Sequence, residues 1–134
     1  MLDPHGALIY TMVIVTGAEA NLPPTEVAII GDIVGHLPVF RNFDHGKLPG
    51  HLNRCADLLL RENGLVATLD AIKEALPVNL CETAYAIACD LVASDGEATQ
   101  EELQLLELMR ERLQIDRLIA AAIERGTRAR FQTV

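Results

Sequence analysis

The sequence predicts an all-α protein, a single-domain bundle of about seven helices, and three observations lead there. Apolar residues recur at three- and four-residue intervals, with no sustained two-residue alternation of the kind a strand needs. Half of the 134 residues are hydrophobic but only 4% are aromatic. That balance, carried by Ala, Leu, Ile and Val, favours close-packed helices over a β-sandwich. Residues that start and stop helices stand between the periodic segments.

Asp3 and Pro4 form a cap and a first-turn proline, which predicts a first helix over about residues 4–19. It is apolar on nearly every side and belongs at the centre of the bundle. Asn21 to Pro24 turn the chain, and a second helix runs to about His36, ahead of Pro38. Gly31 and Gly35 lie four apart on it and are expected to admit a close neighbour. Val39 to Pro49 is irregular, broken by Asn42, Asp44, Gly46 and Pro49. A third helix, about 50–62, presents Leu52, Cys55, Ala56, Leu59 and Leu60, and is expected to end at Gly64. A fourth, about 66–76, stops at Pro77.

The fifth helix, Cys81 to Ala93, repeats Ala84, Ile87, Ala88, Leu91 and Val92 at helical spacing. Ser94-Asp95-Gly96-Glu97-Ala98 is an acidic turn, and Gly96 suits its left-handed position. Thr99 and Glu102 have the spacing of a capping box, followed by the apolar stripe Leu103, Leu105, Leu106, Leu108, Met109 and Leu113. A seventh helix begins near Asp116 and ends among Arg125, Arg128 and Arg130, which complement the negative pole of its dipole.

Shifting the chain by 76 positions sets Ala18-Glu19 against Ser94-Asp95 and Glu26-Val27 against Glu102-Leu103. Apolar positions follow: Ile9 with Tyr85, Val13 with Cys89, Ile30 with Leu106, Ile33 with Met109, Leu37 with Leu113. Residues 1–134 therefore divide into repeat one (about 5–62), a bridging helix (about 64–77) and repeat two (about 80–131), two pseudo-symmetric helical hairpins in one domain.

The pattern of an apolar helix, Ala/Ser-Asp-Gly, then Glu seven residues after the Asp and followed by Leu, resembles the tellurite-resistance TerB-like family. Here it stands as Ser94-Asp95-Gly96-Glu97-Ala98-Thr99-Gln100-Glu101-Glu102-Leu103. The resemblance spans nearly the whole chain, because that family is also built of two helical repeats. It implies an association with tellurite or other chemical stress, and a metal site at Glu19, Glu26, Asp95 and Glu102. The first repeat departs from the motif, with Ala18-Glu19-Ala20 in place of Ala-Asp-Gly and Pro23-Pro24 in the turn. A four-carboxylate set suits a hard divalent cation, Ca²⁺, Mg²⁺ or Mn²⁺, better than zinc. The alternative is that Glu26 and Glu102 only cap helices and Asp95 only turns the chain, in a protein-interaction module without metal.

Other candidates are weaker. Asp90 interrupts an apolar helix one turn before Ser94 and would lean into the acidic site. His36, His45 and His51 gather with Asp44 around the irregular segment without metal-binding spacing. The arginine tail would suit an acidic partner. Phosphate-loop, nucleophile-elbow and Glu-x-x-His motifs are missing, and Ser94 is the only serine, so a non-enzymatic protein is expected. A net charge of −8 disfavours nucleic acid. Three cysteines without a Cys-x-x-Cys pair read as buried thiols in a reducing cytoplasm. The longest apolar run, Ala7 to Ala18, is too short to span a bilayer, and no signal peptide opens the chain. The expectation is a cytoplasmic monomer or weak homodimer with an unidentified protein partner.

Overall fold

A computed structural model describes residues 2–17, 23–94 and 96–134. Among them are seven α-helices and no strand: α1 (Pro4–Val15), α2 (Pro24–His36), α3 (Leu48–Leu59), α4 (Gly64–Ala75), α5 (Val78–Ser94), α6 (Gln100–Arg112) and α7 (Arg117–Arg130). Single 3-10 turns at Pro38–Phe40 and His45–Lys47 fill the irregular segment.

Helix α1 begins as its sequence dictates, with Asp3 Oδ1 accepting the Gly6 amide at 2.8 Å and Pro4 in the first turn. Every residue from Gly6 to Val15 is buried. Helices α3, α4 and α5 pack around it, and α5 in turn carries α6 and α7. The core is therefore built on two adjacent helices, α1 and α5, whose buried residues, among them Leu8, Met12, Ala84, Tyr85 and Ala88, belong to one hydrophobic cluster.

The first helix ends at Val15, short of the predicted residue 19. Thr16 Oγ1 donates back to Met12 O at 3.0 Å and Val13 O at 3.1 Å, and Gly17 adopts φ +79°, which turns the chain out of the helix. Nor do Gly31 and Gly35 admit a close neighbour, since a Cβ on either would meet nothing within 4 Å. Helix α2 lies at the edge of the bundle and buries only Ile30 and Val34.

Gly64 opens α4 and does not merely end α3. Asn63 takes the left-handed turn at φ 55°, while a Cβ on Gly64 would stand 2.5 Å from Leu59 O and 2.6 Å from Leu58 O. The glycine is required because α4 starts directly against the carbonyl end of α3.

His5, His45 and His51 gather on aromatic rings, whereas His36 does not join them and bonds to Asp32 O of its own helix. His5 stacks on Phe40 with centroids 5.6 Å apart and meets Phe43 edge-on at 5.2 Å, while His45 and His51 flank Phe43. His5 Nε2 also lies 2.8 Å from Val39 O, tying the irregular segment to α1. The three thiols, Cys55, Cys81 and Cys89, are free and buried. No helix among the described residues is long and apolar enough to cross a membrane.

These two kinds of glycine make opposite predictions. Gly64→Ala is expected to destabilise the protein by about 1–3 kcal/mol, because the added methyl strikes backbone oxygens that cannot yield. Gly31→Ala is expected to stabilise by about 0.4–1 kcal/mol, because it lies within a helix beside open space. Urea unfolding of the two variants checks the pair, and equal effects would contradict the packing described.

Candidate cation site

The acidic cleft forms where two helices end and two begin. Helix α1 contributes Val15 and its following residues Thr16 and Gly17; α5 contributes Leu91 and Ser94; α2 adds Glu26 and Ile29; α6 adds Glu102. Together they line a cleft of about 150 Å³. Glu26 and Glu102 thus face one space from the first turns of separate helices, each half-buried. Glu19 and Asp95 lie outside the described residues.

Local chemistry places each group. Thr99 Oγ1 accepts the Glu102 amide at 3.1 Å, and Glu102 Oε1 accepts the Thr99 amide at 2.9 Å, completing the capping box. This fixes the side chain of Glu102 while engaging one of its two carboxylate oxygens. Ser94 Oγ donates to Leu91 O at 2.7 Å, just as Thr16 Oγ1 donates to α1 carbonyls. Both hydroxyls use their protons on their own helices, so what each oxygen offers the cleft is lone pairs. The ends of α1 and α5 add the negative poles of their dipoles, and the starts of α2 and α6 the positive poles. The cleft is an oxygen-rich environment with at least two carboxylates. Among the described residues, no three His, Cys, Asp or Glu side chains form a metal-holding group.

Asp90 does not join this cleft through its carboxylate. Its Oδ1 accepts from Thr127 Oγ1 at 2.8 Å and from Arg130 Nη2, clasping α5 to α7. The last arginine of the predicted tail is thereby engaged by α5, although it is exposed, as Arg125 and Arg128 are. A second clasp joins the same helices: Tyr85 Oη donates to Glu124 Oε2 at 2.5 Å. Burial, and then the facing Glu124 carboxylate, push the Tyr85 hydroxyl well above its ordinary pKa, so it keeps its proton. Periodicity does not show either clasp, because the partners lie 37–40 residues apart. The available signal was Asp90 itself, a charge inside an apolar helix that required a partner.

Helices α5, α6 and α7 also enclose a larger cleft of about 560 Å³, with Cys89, Arg110, Glu124 and Arg128 in its wall. Burial holds the Cys89 thiol up at about 11, so it is protonated and unreactive at neutral pH.

Comparison of the chain with models of protein families, with curated proteins and with solved structures returned no match.

The Asp90 clasp carries a prediction. Asp90→Ala is expected to lower stability by about 1–2 kcal/mol, since it removes two charge-assisted bonds at a half-exposed position. In a double-mutant cycle with Arg130→Ala, the coupling should be about 0.5–1 kcal/mol and fall with added salt. Zero coupling at low salt would show that the two side chains act independently.

Proposed function

We propose that this protein is a non-enzymatic, TerB-like helical domain that binds a divalent cation at its acidic cleft and acts as a stress-associated scaffold or sensor. The observation that supports the reading is the meeting of Glu26 and Glu102 in one cleft from the first turns of α2 and α6. Those are the positions that the 76-residue shift pairs and that the family resemblance implies as ligands. In this reading the hairpins are related by a pseudo-twofold arrangement, and Glu19 and Asp95 complete the oxygen set with water. Ca²⁺, Mg²⁺ or Mn²⁺ would then neutralise carboxylates that otherwise repel one another. The domain works in the cytoplasm as a monomer or weak homodimer, passing the bound state to a protein partner.

A second reading rests on the completed capping box. Glu102 already satisfies a helix start, and a carboxylate there needs no metal to be retained. The domain would then be a protein-interaction module without a bound ion.

Glu102→Gln separates the two. The amide keeps an acceptor oxygen, so a pure cap loses about 0.5–1 kcal/mol, equally with metal or chelator. A ligand role predicts a metal-free protein that is unchanged or more stable, together with a smaller rise in melting temperature on adding metal. Calorimetric titration of the unaltered protein with Ca²⁺, Mg²⁺, Mn²⁺ and Zn²⁺ should give saturable binding for at least one of the first three. No heat with any of them, and equal loss in Glu102→Gln under both conditions, would leave only the capping role.

A further inference from the structure

We propose that a second cleft, between the start of α1 and the first turn of α3, binds a phosphate monoester through Arg54, Lys47 and the Tyr10 hydroxyl. The proposal is independent of the cation site. The cleft, about 550 Å³, is lined by Leu2, Asp3 and Tyr10 from one side and by Lys47, His51 and Arg54 from the other, with Gly46 and Gly50 in its wall.

Its charge is the first argument. Residues 38–61 hold four basic residues, Arg41, Lys47, Arg54 and Arg61, against two acidic ones, Asp44 and Asp57, in a chain whose net charge is −8. Two of those cations line this cleft. Among the described residues neither Lys47 nor Arg54 forms an ion pair. Asp3, the one acid in the lining, already accepts the Gly6 amide as the cap of α1.

The position of Arg54 is the second. Its Nη2 donates to His51 Nδ1 at 3.2 Å, a neutral partner. A Cβ on Gly50 would stand 3.2 Å from Arg54 Nη1. The guanidinium therefore lies back over the first turn of its own helix, the positive pole of the α3 dipole. No side chain caps that turn; Lys47 occupies the cap position and adds a further positive charge. A cation is normally placed at the opposite end of a helix. Two cations at the positive pole of a helix without a side-chain cap make a place for an anion.

Tyr10 is the third. It is 6% exposed, yet it lines this cleft, and its hydroxyl has the Arg54 guanidinium as neighbour. The hydroxyl oxygen takes a hydrogen bond from Arg54, which leaves its own proton to be donated into the same space.

These donors arrive from separate elements. A planar carboxylate satisfies the arginine fork alone, whereas the tetrahedral oxygens of a phosphate meet the fork, the ammonium and the hydroxyl together. The space exceeds one phosphate, and its mostly polar lining fits the polar body of a small ester. The same terminal group is also presented by phosphatidic acid, so the test has two arms.

His51 reports on occupancy. Burial lowers its pKa first, then Arg54; Lys47 and His5 lower it further, and Asp3 acts in the opposite direction. An anion between Arg54 and Lys47 would offset those cations and raise the His51 pKa.

The experiment is an NMR titration of the full chain at constant ionic strength, with inorganic phosphate and glycerol 3-phosphate as probes and chloride and acetate as controls. Saturable shifts at Gly46, Gly50 and His51, with the His51 pKa rising, are expected for the phosphate probes. Arg54→Gln should weaken binding about tenfold or more, and Tyr10→Phe by about two- to tenfold. Gly50→Ala should weaken it by displacing the guanidinium while leaving the fold intact. Lys73→Gln, outside the cleft, should have no effect. Cosedimentation with phosphatidic-acid vesicles that Arg54→Gln abolishes, without saturable binding of glycerol 3-phosphate, would assign the monoester to a lipid. Shifts that chloride reproduces, shifts that survive Arg54→Gln, or an absence of binding in both arms would overturn the proposal.

Discussion

Helix α1 has no solvent face, and that constraint orders everything around it. Ten consecutive residues, Gly6 to Val15, are buried, so the helix is stable only where other helices cover all its sides. The largest of these side chains, such as Leu8, Ile9 and Met12, each contribute about 1.5–3 kcal/mol when fully removed from water. Helices α3, α4 and α5 provide the cover. Polar groups inside must then be satisfied locally: Thr11 Oγ1 donates to Ala7 O at 2.9 Å and Thr68 Oγ1 to Gly64 O at 2.7 Å. Among the described residues, no buried side-chain nitrogen or oxygen lacks a hydrogen-bond partner.

Covering α1 leaves α5 as the second axis, and the chemistry of its outer side follows. Its small residues Ala84 and Ala88 face the interior, while Tyr85 and Asp90 bond to Glu124, Thr127 and Arg130 on α7. Those bonds fix how α7 lies, because a stripe of Ala and Ile alone would tolerate sliding. Helix α2 is held differently. It buries two residues, Ile30 and Val34, and stands at the edge of the bundle. Its first turn nevertheless supplies Glu26 to the acidic cleft.

The two ends of α1 carry opposite characters. Its cap Asp3 and its middle residue Tyr10 border the basic cleft; its end, with Val15 and Thr16, borders the acidic one. Twelve helical residues rise about 18 Å, roughly two Debye lengths at physiological ionic strength. Net charge alone describes only an acidic protein and does not show that one of its clefts is basic. The helix dipole of α1 opposes neither arrangement, since Asp3 caps its positive pole and a cation would complement its negative pole.

Local rules were enough for the features that depend on neighbours in sequence. The seven helices, the Asp3, Thr99 and Asp116 caps, the left-handed Gly96 and the central place of the apolar first helix all follow from spacing and residue type. Glu26 and Glu102 could be singled out for the same reason, as acids in first turns preceded by matching helices. What sequence could not supply was distance between segments. Whether Glu26 and Glu102 share a cleft depends on how two hairpins dock. Asp90 turned to α7 because a thirty-seven-residue excursion brought Thr127 beside it. Gly64 was legible as a breaker, but its need to be glycine arises from two carbonyls of α3 standing within 3 Å of where its Cβ would be. The basic cleft was hidden for the same reason. Lys47 and Arg54 lie near each other in sequence, but Tyr10 joins them only after α1 is buried. Periodicity records which side of a helix turns inward; it carries no information about which other helix will be there.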